Sequence, residues 1–207
     1  MKRREFAIGL AAAPLLAHPA WAAGEPVEGK DFIRLAQPVP VAVPGKIEVI
    51  EFFGYWCPHC NTLEPVLQAW VRKLPSEVNF RRSPVAWQPS HEPYQKLYFA
   101  LEAMGAGQDM HAKVFDAVHR QGLRLDNDAG LAAFAAANGL DKAKLADTMK
   151  GFTVASKVRM ANQLFTAYHL DGVPSLAVNG RFVTGPDKAG GDERALMVVE
   201  ALMRKPT

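Results

Sequence analysis

Residues 47–60, IEVIEFFGYWCPHC, run from an apolar stretch through a glycine into two cysteines three positions apart. Ile47 to Phe53 is short and nearly continuously apolar, the pattern of a central strand buried on both faces, and Gly54 marks its end. From Cys57 onward, Leu63, Val66, Leu67, Trp70 and Leu74 recur at helical spacing and Pro75 closes the pattern. Pro65 sits inside this helix and is expected to kink it. Val78 to Val85 reads as a second strand, with Pro84 and Pro89 ending it. The order strand, helix, strand places Cys57 at the start of a helix.

Working outward, Gly24 to Gly45 is rich in Pro, Val and Gly and reads as an irregular arm with one short edge strand, attached through Phe32, Ile33 and Leu35. The stretch from about Glu92 to Leu170 is rich in Ala, Leu, Met and Lys with helical periodicity and almost no strand signal. Breaks at Gly105-Ala106-Gly107, Gly122, Asn138-Gly139 and Gly151 divide it into about five helices, with Asp126-Asn127-Asp128 and Asp141 as plausible N-caps. Past Gly172, Ser175 to Val178 and Arg181 to Thr184 flank Asn179-Gly180, a strong hairpin signal. A last amphipathic helix runs from about Asp192 to Met203, with Leu196, Val199 and Met203 on one face. The fold class is therefore α/β with an inserted all-helical domain. Its expected division is residues 23–90 and 171–207 for the sheet-bearing domain and 91–170 for the insertion.

The chain opens on Lys2, Arg3 and Arg4, continues with an apolar run from Phe6 to Leu16 and ends this segment with small residues around Ala20-Trp21-Ala22. That is the pattern of a secretory signal peptide over residues 1–22, cut after Ala22 or Ala23. The run is broken by Pro14 and falls short of the roughly 20 apolar residues a membrane span needs. Arg3-Arg4 followed by Phe6 also fits a twin-arginine signal, so the Sec and Tat routes both stay open. Without residues 1–22 the chain holds 21 basic and 20 acidic residues, so the basic excess lies largely in the leader. No Lys/Arg stripe interleaved with aromatics supports nucleic-acid binding.

Export to an oxidising compartment usually goes with structural disulfides, yet this chain has only Cys57 and Cys60. A bridge across so short a loop constrains the unfolded chain very little, which points to chemistry rather than stapling. Thiol–disulfide exchange needs an attacking thiolate and a second thiol close enough to resolve the mixed disulfide. At a helix N-terminus the unpaired N–H groups and the macrodipole lower the pKa of Cys57, while Cys60, one turn in, is the resolver. Pro58 and His59 lie between them, and His59 adds a cation or donor beside the thiolate. Stabilising the dithiol form in this way makes the disulfide the better oxidant. The same spacing serves half a zinc site, but His18, His91, His111, His119 and His169 show no spacing that completes one. Haem attachment needs a histidine directly after the second cysteine, where Asn61 stands. No metal and no organic cofactor is expected.

The run Glu51-Phe52-Phe53-Gly54-Tyr55-Trp56-Cys57-Pro58-His59-Cys60 resembles the active-site strand and helix start of the DsbA family of periplasmic disulfide oxidases, whose usual dipeptide is Pro-His. Pro65, the sequence Gly172-Val173-Pro174-Ser175 and the helical insertion are similar to that family's kinking proline, cis-proline loop and helical domain, over about Gly29 to the C-terminal helix. The resemblance implies a thioredoxin-like fold. It also implies that Val173-Pro174 is cis and packed opposite Cys57, with the Val173 backbone pairing an extended substrate chain. An ordinary trans turn is the alternative.

Glu51 shares a strand face with Ile47, Val49 and Phe53, so it is either a buried carboxylate relaying a proton to or from Cys60 or a strand-end acid that reaches solvent. The family places a lysine opposite this acid, whereas counting along the next strand gives Arg82, and an arginine stays protonated. Tyr55, Trp56 and Trp87 either ring the site or belong to the core, with Trp56 the better case for exposure. The expected function is a thiol–disulfide oxidoreductase that donates the Cys57–Cys60 disulfide to unfolded or reduced exported proteins through a mixed disulfide at Cys57. By the same resemblance it is a periplasmic monomer reoxidised by a quinone-linked membrane partner like DsbB. The alternatives are a periplasmic thioredoxin-like reductase and a non-catalytic peptide-binding or chaperone module.

Overall fold

The computed structural model describes residues 24–205, so the expected leader lies outside it. Ile33–Arg34 (β1), Ile47–Phe53 (β2), Val78–Pro84 (β3), Ser175–Val178 (β4) and Phe182–Thr184 (β5) form one sheet in the order β1-β5-β4-β2-β3. The apolar run at 47–53 is central because β2 is paired on both sides, parallel to β3 and antiparallel to β4. From Glu48 to Phe53 every residue of β2 is buried. The Pro-rich arm contributes only the two-residue edge strand β1, antiparallel to β5, as missing N–H donors require of such a segment. Asn179-Gly180 closes the β4–β5 hairpin with both residues at positive φ, the backbone that Asn and Gly adopt most readily.

Pro58–Val71 (α1) follows β2, with Pro58 in the first turn, where its missing N–H costs nothing, and Pro65 in the interior. Between β3 and β4 lie Glu92–Ala103 (α2), Gly107–His119 (α3), Asp128–Ala137 (α4), Lys142–Lys150 (α5) and Phe152–Ala167 (α6). The α4 N-cap is Asn127, whose Oδ1 accepts from Gly130 N, and the α5 N-cap is Asp141, accepting from Lys144 N. Two short elements carry no periodic signal: the 3₁₀ turn Pro89–His91 and the helix Pro186–Ala189 (α7). Asp192–Met203 (α8) ends the described chain, burying Leu196, Val199 and Leu202 while Met203 is only half-buried.

Both sheet faces are covered. On one, Val49, Leu176 and Val178 pack against Leu63 and Leu67 of α1 and against α8. On the other, Ile50, Phe52 and Ala177 pack against Tyr168, just past α6. A third cluster joins Phe53, Tyr55, Cys57 and Cys60 to Leu97, Leu101, Val114 and Phe115 of α2 and α3. The two cysteines therefore sit where the sheet meets the helices. Among the described residues no helix is long and apolar enough to cross a membrane.

Candidate active site

Cys57 is the N-cap of α1, with extended backbone (φ −88°, ψ 119°) and no side-chain cap, so its own sulfur faces the free N–H groups of the first turn. Both thiols are unbridged. The Cys60 thiol donates to the Cys57 sulfur, the backbone N–H groups of Cys60 and His59 add to it, and the His59 charge contributes least. Together these outweigh desolvation and bring the Cys57 thiol down to about 6. Cys60 has no exposed surface, and its thiol is pushed far above the usual range, first by burial and then by the neighbouring Cys57 sulfur. One motif thus holds a thiol that ionises easily and another that keeps its proton.

The Val173–Pro174 peptide bond is cis, and the Cys57 thiol meets the Val173 carbonyl oxygen at 3.4 Å. Beside this contact a groove of about 370 Å³ is bordered by His59, Thr62, Asp171, Gly172, Val173 and Pro174. Pro58 and His59 are exposed at its mouth.

Beneath the pair lies a buried charge network. In the β2–β3 register Glu51 stands opposite Arg82, and Arg82 Nε donates to Glu51 Oε2 at 2.8 Å. Arg82 Nη2 reaches both oxygens of Glu64, at 3.1 and 3.2 Å. His111 Nε2 lies 3.3 Å from Glu64 Oε2, and His111 Nδ1 is 2.8 Å from the Tyr55 hydroxyl. Burial raises the Glu51 carboxyl to about 7 against the opposing pull of Arg82. Glu51, Glu64 and His111 bring ligand atoms within 4.8 Å of one another, a donor set of the kind that holds a metal. The Arg82 guanidinium already bonds both carboxylates, however, and a cation there would meet that fixed charge.

Glu51 is thus buried and paired with Arg82 rather than reaching solvent. Two members of the network were not expected. Glu64 falls four residues after Cys60, one turn along the buried face of α1, which is a readable signal. His111 comes from α3 and carries no local signal. The aromatic residues reverse the expected order: Trp56 is half-buried, its indole N–H donating to Val85 O and its ring stacked on His91 at 3.9 Å, whereas Trp87 is 52% exposed. Tyr55 is core, held through its hydroxyl by His111 and through its carbonyl by His119 at 2.8 Å.

A dithiol pair at a helix N-terminus, facing a cis-proline loop on a β1-β5-β4-β2-β3 sheet, defines a thioredoxin-like oxidoreductase. Residues 48–193 match the model of the DSBA-like thioredoxin domain, and the chain belongs to that family. It is 40% identical over 206 residues to the thiol:disulfide interchange protein DsbA of Pseudomonas syringae pv. tomato, covering 99% of this chain and 96% of that one. With the DsbA of Bordetella parapertussis it shares 38% over 205 residues, 98% of each chain. The crystal structure of Pseudomonas aeruginosa DsbA superimposes with a TM-score of 0.82 at 37% identity, over 86% of this chain and 92% of that one. That of DsbA from Xylella fastidiosa gives 0.81 at 29%, over 87% and 97%. The protein is a thiol–disulfide oxidoreductase with Cys57 and Cys60 as its Cys-x-x-Cys pair.

Proposed function

We propose that the protein works as a dithiol oxidase of exported proteins in the periplasm. The observation that carries this reading is the contrast between Cys57, down at about 6, and Cys60, driven far up by burial. A substrate thiolate attacks Cys57 Sγ, the Cys57–Cys60 bond breaks, and Cys60 leaves and takes a proton. A second substrate thiolate then attacks the substrate sulfur of the mixed disulfide, forming the substrate disulfide and releasing Cys57 as a thiolate. Two electrons pass from the substrate dithiol to the enzyme pair. The low basicity of Cys57 makes it the better leaving group in that last step, which favours this direction over reduction.

Pro58 and His59 tune the pair, Val173 and Pro174 form the platform for an extended substrate segment, and Glu51 serves as the proton relay for Cys60. Residues 23–90 and 171–207 act as the catalytic domain and 91–170 as a helical insertion, after removal of the 1–22 leader. A quinone-linked membrane oxidase like DsbB returns the pair to the disulfide, and the protein acts as a monomer. Equilibrating the purified protein with glutathione buffers and following the Cys57–Cys60 couple tests the direction. The pair should stay reduced in mixtures where ordinary protein dithiols are oxidised. A strongly reducing couple would overturn the oxidase in favour of a reductase, and a failure to exchange would favour a peptide-binding module.

A further inference from the structure

Tyr55 and Trp56 make the bend between β2 and the nucleophile. The Cys57 N–H donates to the Gly54 carbonyl at 2.9 Å, so residues 54–57 close a turn with Tyr55 and Trp56 at its centre. The closing bond uses only the outer residues of such a turn. Its central peptide, the Tyr55 carbonyl joined to the Trp56 N–H, has to find partners outside it. Tyr55 is buried, so its carbonyl meets almost no water.

The partner comes from the helical insertion. His119 Nε2 lies 2.8 Å from the Tyr55 oxygen, and a carbonyl only accepts, so this nitrogen carries the hydrogen. His119 is the last residue of α3 and forms a ridge with Phe115 and His111, each one turn from the next. The whole ridge lies along Tyr55. Phe115 meets the Tyr55 ring edge-on at 5.0 Å and stacks with the His119 ring at 6.1 Å, while His111 Nδ1 is 2.8 Å from the Tyr55 hydroxyl. His111 and His119 stand about 12 Å apart along the helix axis, and Tyr55 runs between them, bonded at both ends.

The two ends do different work. The hydroxyl bond locates the ring, whereas the carbonyl bond sets the plane of the central peptide, and with it the Tyr55 ψ and Trp56 φ that aim the chain at Cys57. Trp56 is placed independently, its indole bonded to Val85 O, stacked on His91 and folded over Gly54, where a Cβ would meet it at 2.5 Å. Those contacts fix the indole; the carbonyl of the central peptide is held from α3. Cys57 follows directly. Its sulfur is stabilised by the N–H groups of Cys60 and His59 and meets Val173 O at 3.4 Å, short-range contacts that depend on where the turn delivers it.

We propose that His119 is a positioning residue for Cys57: by donating to the Tyr55 carbonyl it sets the plane of the Tyr55–Trp56 peptide, and through the Gly54–Cys57 turn it seats the sulfur on the first-turn N–H groups of α1 and against Val173. The role concerns Cys57 as the exchanging thiol, whichever way the electrons run.

Substitutions read by the Cys57 thiolate titration and by the glutathione equilibrium test it. His119→Leu removes the donor and keeps bulk at the position. The midpoint should rise from about 6 by about one pH unit. The dithiol form should then lose about fivefold in the glutathione equilibrium at pH 7, because less of its stability comes from the thiolate. His119→Gln keeps an N–H at similar reach and should return both readings to within about twofold of the unaltered protein. Tyr55→Phe cuts the hydroxyl bond and spares the carbonyl bond, so its midpoint should move less than that of His119→Leu. Asp141→Ala, a loss of stability at the start of α5, should move neither reading.

An unchanged midpoint in folded His119→Leu, a His119→Gln no closer to the unaltered protein, or a Tyr55→Phe shift as large as that of His119→Leu would overturn the proposal. Nitrogen NMR of the unaltered protein needs no substitution. The His119 Nε2 should carry its hydrogen from pH 5 to about pH 8, and a bare Nε2 in that range would overturn the proposal even where His119→Leu fails to fold. A reducing couple in the unaltered protein with these shifts intact removes the oxidase direction and leaves the positioning. An oxidising couple with no shift does the reverse.

Discussion

Replacing Cys60 by alanine removes the first of the contributions that lower Cys57, the thiol donated by Cys60 itself, whereas replacing His59 by leucine removes the last. The thiolate absorbance of Cys57 should therefore titrate near 6 in the unaltered protein. It should move up by about one pH unit in Cys60→Ala and by less in His59→Leu. An equal or larger shift in His59→Leu would show that the dipeptide charge, not the helix start and the second thiol, sets the acidity. The motif gave the residue types for this chemistry but not their ranking, because His59 is exposed and its charge is screened while the N–H groups of the first turn are fixed in place. Glu64 and His111 show the limit more sharply. Glu64 was reachable by counting one turn from Cys60, but the partner that orients it arrives from α3, and nothing in the spacing of residues 105–122 marks His111 as anything but a core histidine.

Elements were easier to read than contacts, since a strand or helix is set by periodicity and by stop signals within its own few residues. β2 occupies 47–53 and the breaks at Gly105, Gly122, Gly139 and Gly151 separate α2 through α6 because each glycine either ends a turn at positive φ or flanks a cap. The short helix α7 and the turn at Pro89–His91 escaped because segments of four and three residues are too short to show a period. Trp87 was misjudged for a related reason: it sits on an irregular stretch after β3, where no face is defined until Phe165 of α6 packs its ring edge-on at 5.9 Å. Caps are the most local signal of all, and their energetics can be isolated. Asp141→Ala removes the acceptor for Lys144 N at the start of α5, far in sequence from the cysteines. It should lower the unfolding free energy by about 1 kcal/mol, read from the urea midpoint, while leaving the Cys57 titration unchanged. A loss well below that would mean that α5 is held by Leu145 and Met149 packing alone.

At the scale of the whole molecule, acidity at Cys57 and stability of the fold are one quantity. The Cys57 thiol stands near 6 in the folded dithiol form against an ordinary 9.0, so unfolding takes up a proton wherever the pH lies between these values. The contribution is that of a depressed group: fully present above about 9, shrinking as the pH falls, and gone below about 6. Three pH units correspond to at most about 4 kcal/mol, and solvent screening at the mouth of the site brings the expected gain nearer to about 2. The disulfide form has no thiolate and forfeits this term entirely. What it receives in exchange is the closure of a loop from Cys57 to Cys60, the kind of short loop whose entropy restrains the unfolded chain least. The folded protein should therefore be more stable reduced than oxidised, which is the thermodynamic form of an oxidising couple, since folding then draws the pair toward the dithiol. Denaturant unfolding of both forms from pH 5 to about pH 9 measures this directly. The gap should open in favour of the reduced form as the pH rises through about 6, and the rise in the reduced protein's own stability over that range should be lost in Cys57→Ser, which has only the reduced form and no thiolate at that position. A gap independent of pH, or an oxidised form more stable throughout, would place the driving force elsewhere than in the thiolate at the start of α1.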